Sequence, residues 1–120
     1  MNVYSTNDLG RIEMVPEVIT TISHHAVINV PGVTKIGEPP SSSALFRRNS
    51  SKKEGILLEM VDQQLVLEIY VHLLSDVNMV ETCRSVQGAV IEAIDQMIGL
   101  PVKSVNVHVT DVTYQSAEIG

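Results

Sequence analysis

Apolar positions recur along this chain with two different periods, and the switches between them mark out its elements. From Gln64 to Leu74 the spacing is two: Leu65, Leu67, Ile69, Val71 and Leu73 share one face of an extended strand, and Val66, Glu68, Tyr70, His72 and Leu74 share the other. The first set reads as a core face. Ile56 to Val61 forms a preceding aliphatic run, and the polar Asp62-Gln63 between the two runs predicts a β-hairpin, although no Gly is present to supply the favoured primed turn. Val105, Val107 and Val109 alternate with Ser104, Asn106, His108 and Thr110, which predicts a last strand with one buried and one wet face. Two stretches have the helical period instead. Pro16 stands where a first helical residue would, Glu17 favours the positive helix end, and Val18, Ile19, Ile22 and Ala26 recur at helical spacing up to Pro31-Gly32. Asn78-Met79-Val80-Glu81 has the form of a capping box. Val80, Cys83, Val86, Val90, Ile94, Met97 and Ile98 continue it as a long amphipathic helix, which Gly99 and Pro101 end.

The weaker segments complete the order. Leu9 to Met14 alternates briefly and predicts a short strand, as does Val33 to Ile36. Residues 37–54 change character, with two Pro, five Ser and the cations Arg47, Arg48, Lys52 and Lys53, and read as a mobile loop. Residues 114–120 read as a frayed tail. The resulting order is strand, helix, strand, loop, hairpin, helix, strand. A strand, helix, strand sequence favours a right-handed crossover, so the last strand is expected parallel to the hairpin in one sheet. The expected fold class is α+β: a two-layer domain in which a small mixed sheet is covered on one face by two helices, formed by residues 1–120 as one unit.

Composition narrows the function more than it identifies it. Of 120 residues, 3% are aromatic and none is Trp, so aliphatics fill the core and stacking platforms for bases are nearly excluded. A net charge of −6 opposes coating of nucleic acid by the overall field. Four of the cations fall within residues 47–53, which leaves −10 for the rest of the chain. The basic segment is therefore a candidate contact for anionic lipid, an acidic partner or RNA, and equally readable as a solvated loop. The single Cys83 forms no internal disulfide, which fits a reducing cytoplasm. Residues 1–14 lack the charged and apolar regions of a signal peptide, and no window approaches the ~20 apolar residues of a spanning helix. Membrane contact is expected only indirectly, through a partner.

The chemistry-bearing motifs are mostly missing. There is no phosphate-binding glycine loop, dinucleotide fingerprint, Cys-x-x-Cys, His-Glu-x-x-His or Gly-x-Ser-x-Gly. No cofactor is expected. His24 and His25 are adjacent on a helix and point about 100° apart, so they do not serve one metal from one face. Cys83 falls at an apolar helical position and reads as a small hydrophobe. His72 and His108 lie on the wet faces of strands expected in one sheet, with Glu68 nearby. A metal site or an enzymatic site built on these three is weighed against the ordinary decoration of a sheet face, and the ordinary reading is preferred. That face, carrying Glu68, Tyr70, His72, Asn106 and His108, or else an edge strand of the sheet, is the candidate interaction surface for a second copy or another partner.

Taken in order, Gly10-Arg11-Ile12-Glu13, Pro16-Glu17-Val18-Ile19, Val30-Pro31-Gly32-Val33, Val86-Gln87, Gly99-Leu100 and Val105-Asn106-Val107-His108-Val109 resemble the alkaline shock protein family of bacterial envelope-stress proteins. The resemblance runs through almost the whole chain and departs from the common pattern at the long Ser41 to Lys53 segment, at Met79-Val80 and at Asp111. It implies a non-enzymatic cytoplasmic protein of envelope homeostasis. It also implies self-association and a small membrane-anchored partner. It carries over no catalytic residue. The alternative from the residues themselves is a small α+β nucleic-acid-binding module using residues 47–53.

Overall fold

The computed structural model describes residues 3–39, 51–53 and 55–114, with residues 3–5 and 51–53 described by their backbone alone. Its elements are β1 (Val3–Asn7), β2 (Gly10–Met14), α1 (Pro16–Ile28), β3 (Val33–Ile36), β4 (Ser51–Lys53), β5 (Ile56–Val61), β6 (Gln64–Leu74), α2 (Met79–Met97) and β7 (Val102–Thr113). The α+β class holds. β6 is the spine of a mixed five-stranded sheet: β7 runs parallel to it on one edge, while β5 and β3 share its other edge, both antiparallel, and β4 extends β5.

Period-two patterning places the core. Leu65, Leu67, Ile69, Val71 and Leu73 of β6 are all fully buried, and they meet Ile19 and Val27 of α1 and Val86, Val90 and Ile94 of α2 in one cluster. Each such side chain contributes about 1.5–3 kcal/mol by leaving water, so this face dominates the stability of the sheet. α1 starts at Pro16 without a side-chain cap; its last turn is closed by Asn29, whose Nδ2 donates to the His25 carbonyl at 2.8 Å, ahead of Pro31. At α2 the Asn78 Oδ1 accepts from the Glu81 amide at 3.0 Å, and the Glu81 carboxylate pairs with Arg84 at 3.1 Å. That cap is worth about 1 kcal/mol.

The hairpin forms as expected, with Val61 opposite Gln64, but its turn is made without glycine. Asp62 and Gln63 both take positive φ, 51° and 65°, the pattern of a primed turn. Glycine is needed elsewhere. β5 ends its pairing with β6 at Ile69 and β3 begins at Val71, so Tyr70 sits at the junction, where its N–H donates to the Gly55 carbonyl at 2.9 Å and its carbonyl accepts from Gly37 N at 2.6 Å. A Cβ on Gly55 would collide with the Gly37 carbonyl oxygen, and Gly55 has φ +83°. The two backbones cross there only because one side chain is missing.

Three expectations are corrected. The strand near residue 10 does not join the main sheet; it pairs with a strand that the sequence pattern does not announce, β1, in a separate two-stranded hairpin exposing Leu9 and Ile12. Alternation over so few positions could not reveal its partner. Second, the segment expected as a loop over 37–54 contains β4, which pairs Ser51–Lys53 with Leu58–Ile56. Ser and Lys carry little strand propensity, so the ladder, not composition, sets this element. Third, Tyr70 is not an exposed surface residue: it is 9% exposed. Residues 40–50 and 115–120, which include Arg47, Arg48 and nearly all of the expected tail, lie outside the described residues.

Candidate functional site

The parallel register between β6 and β7 sets Glu68 beside Asn106 and Tyr70 beside His108 on the face away from the helices. Two side chains of β7 then converge on one carboxylate. Asn106 Nδ2 donates to Glu68 Oε2 at 2.7 Å, and His108 reaches diagonally along the strand so that its Nε2 meets Glu68 Oε1 at 2.5 Å. The edge of the imidazole is thereby held against the carboxylate. Its ring stacks on Tyr70, with centroids 4.6 Å apart and planes 16° from parallel. Burial, and secondarily the negative charge of Glu68, pushes the Tyr70 phenol above its ordinary value. The Glu68 side chain is 23% exposed and that of His108 44%, so solvent screens the pair and its contribution to stability is below about 1 kcal/mol. What the pair contributes is order: both carboxylate oxygens are occupied, and the histidine is held flat on an aromatic ring.

His72 does not join this group. It pairs in register with Lys35 and Asp111, and its ring lies beside Gly37 and Thr110. The five residues of the candidate surface thus divide into a connected set of Glu68, Tyr70, Asn106 and His108, and a separate His72. A site built from His72, His108 and Glu68 is not assembled, and among the described residues no three His, Cys, Asp or Glu side chains are grouped to hold a metal ion. Two open grooves lie elsewhere, one along His24, Thr34 and Glu38 and one between Ile91 of α2 and Val102 of β7. His24 is half-buried and His25 exposed, so the two adjacent rings point to different surroundings. Cys83 is half-buried, and burial pushes its thiol up, away from reactivity at neutral pH. In the basic segment, Lys52 and Lys53 belong to β4 and not to a loop. Arg47 and Arg48 fall outside the described residues.

Alternation along the chain places all five residues on one face. It could not foresee the Glu68 clamp, because alternation fixes a face and leaves the register between parallel strands open. The extra residues that β7 carries at Lys103 and Thr110 shift that register by bulges, which no local pattern announces.

A strand-rich α+β domain with an open, ordered polar face is the class of protein that the fold defines. The family model that matches residues 4–114 is that of the alkaline shock protein 23 family, described by its "cell envelope-related function", and the chain belongs to that family. This is the family that its motifs resemble. It is similar to "Uncharacterized protein YqhY" of Bacillus subtilis (strain 168), with 22% identity over 90% of this chain and 81% of that one. It is also similar to "Uncharacterized protein Spy1535" of Streptococcus pyogenes serotype M6, with 27% identity over 90% of this chain and 83% of the other. Among solved structures, "MamM CTD - Copper form" aligns with a TM-score of 0.48 and 16% identity over 87% of this chain and 91% of its own. That likeness is too slight to carry any argument.

Proposed function

We propose that the protein is a non-enzymatic interaction module of the cell envelope, working from the cytoplasm in envelope homeostasis under stress, with the open face of β6 and β7 as its contact surface. The observation that carries this reading is the Glu68 clamp. Its acceptors are already paired within the chain. A general acid or base needs a carboxylate or imidazole that can reach a substrate proton, whereas recognition is served by side chains fixed before the partner arrives. The face is half polar and half aliphatic, with Tyr70 under His108 and with Val66 and Leu74 half-buried at its two ends, a composition suited to a protein partner. No described helix is long and apolar enough to cross a membrane. Attachment to the envelope is therefore assigned to a small membrane-anchored partner, together with self-association, and no cofactor is invoked.

Mild cross-linking in cells, followed by membrane fractionation, tests this. The tagged protein is expected in the membrane fraction, attached to itself and to a small membrane protein, and the Glu68→Lys variant is expected to lose the membrane protein while remaining folded. Recovery in the soluble fraction with RNA or a metabolic enzyme, unchanged by Glu68→Lys, contradicts the reading and moves residues 47–53 to the centre.

A further inference from the structure

The groove between α2 and the start of β7 has a volume of about 400 Å³. Gly88, Ile91, Glu92 and Asp95 form its helical wall, spaced so that they fall on one stripe of α2. Leu100 and Val102 form the facing wall, half-buried against the hydrophobic core. That wall is pinned in place, because the Pro101 carbonyl accepts from the Leu65 amide of β6 at 2.9 Å. Ile91 is nonetheless 43% exposed, so the groove offers apolar surface that the chain itself does not cover.

Two features of the helical wall serve nothing within the chain. Gly88 lies inside a helix of 19 residues, where glycine is weaker than alanine, yet a Cβ built on it meets no atom within 4 Å. Unlike Gly55, it is not required by a neighbouring backbone. Its effect is to leave one end of the groove without a side chain, where another backbone can approach α2 closely. The second feature is charge. From Ser85 to Val102 the chain carries Glu92 and Asp95 and no Lys, Arg or His. The last turn of α2 holds no cation, although the carbonyl end of a helix favours one, and Asp95 adds a like charge there. Among the described residues neither carboxylate enters an ion pair; Glu92 accepts from Gln96 at 3.3 Å. Lys103, just beyond the groove, lies instead 3.8 Å from Asp62.

We propose that this groove is a second docking surface and that its occupant is a cationic amphipathic segment of another protein. The apolar side chains of that segment cover Ile91, Leu100 and Val102. Its Lys or Arg side chains reach Glu92, Asp95 and the carbonyl end of α2, and its backbone passes over Gly88. Charge selects the occupant, since an acidic segment or an anionic lipid surface would meet two uncompensated carboxylates and the negative end of a helix. Shape selects a segment over a small ligand, because the groove is open to solvent and closes around nothing. Both walls are in place before the occupant arrives, so binding does not have to order them. This surface lies on the helix side of the sheet, away from the Glu68 clamp, and goes beyond the reading proposed for the open face.

Fluorescence anisotropy of the full chain with a labelled amphipathic peptide of leucine and lysine gives the test, with amide NMR shifts locating the contact. The peptide is expected to bind and to shift the amides of Gly88, Ile91, Asp95 and Val102. A peptide of serine and lysine, with the charge but no apolar face, is expected to bind about tenfold more weakly. Gly88→Leu, which strengthens the helix and fills the open end, is expected to weaken binding about tenfold or more without lowering the unfolding midpoint. Glu92→Gln with Asp95→Asn is expected to weaken it about fivefold. Glu13→Gln with Glu17→Gln makes the same change in net charge on β2 and α1, and is expected to leave binding unaltered. Equal binding of the serine and lysine peptide, full binding by Gly88→Leu, or shifts centred on Glu68 and Asn106 overturns the inference. None of these results alters the cellular cross-link that tests the open face, and loss of that cross-link leaves peptide binding at the groove untouched.

Discussion

One strand, β6, presents two faces held by different physics. On the helix-covered side, five aliphatic side chains are completely out of water, and any hydrophobic residue of similar volume would serve nearly as well. On the open side, Glu68 and Tyr70 are fixed by Asn106 and His108 of β7, and there no other residues would make the same contacts. The first face contributes most of the free energy and little of the identity. The second contributes little free energy and gives the sheet a surface that a partner can distinguish. Stability and recognition are thus separated onto opposite sides of a single strand, and each can be disturbed without the other.

The sharpest disturbance acts where the two faces share a backbone. Gly55→Ala sets a Cβ into the Gly37 carbonyl at a positive φ, and is expected to cost about 4 kcal/mol in urea unfolding, disrupting both the core and the Tyr70 stack. On the buried side, Leu67→Ala is expected to cost about 3 kcal/mol from lost burial and a residual cavity. Asn78→Ala, which removes the cap of α2, is expected to cost about 1 kcal/mol.

On the open side, Glu68→Gln is expected to change stability by less than about 1 kcal/mol, yet to shift the NMR signals of the His108 ring and the Asn106 amide. A loss approaching that of Leu67→Ala would mean that the clamp is structural. The smallest effect is on titration. Absorbance followed above pH 10 should show a tyrosine that ionises late, and Tyr70→Phe should remove that late step. Because folding raises this phenol, its contribution is complete below the ordinary value of 10.0 and is lost as pH rises through the folded value, leaving neutral pH unaffected.

The core was legible because burial leaves a period in the sequence. Leu65 to Leu73, the helical stripes, the Asn78 cap and the parallel placement of β7 all follow from local patterns plus one rule of connection handedness. What escaped is whatever depends on register or on a distant backbone. β1 and β4 become strands only because β2 and β5 offer ladders. Tyr70 looked exposed by alternation, but the stacked His108 ring covers it, and whether that ring lies over Tyr70 or over a neighbour two residues away is a question of register. His72 and Glu68 share a face in sequence yet serve separate surroundings, since Gly37 brings another backbone against the His72 ring.

The central claim is that the open face meets a partner while the clamp holds it in order. A photo-crosslinking amino acid placed at Asn106, compared with one at Glu17 on the exposed side of α1, tests this directly in living cells. The expected result is a discrete adduct at position 106, recovered with the membrane fraction, and none at position 17. Equal labelling at both positions, or an adduct only at position 17, would contradict the account.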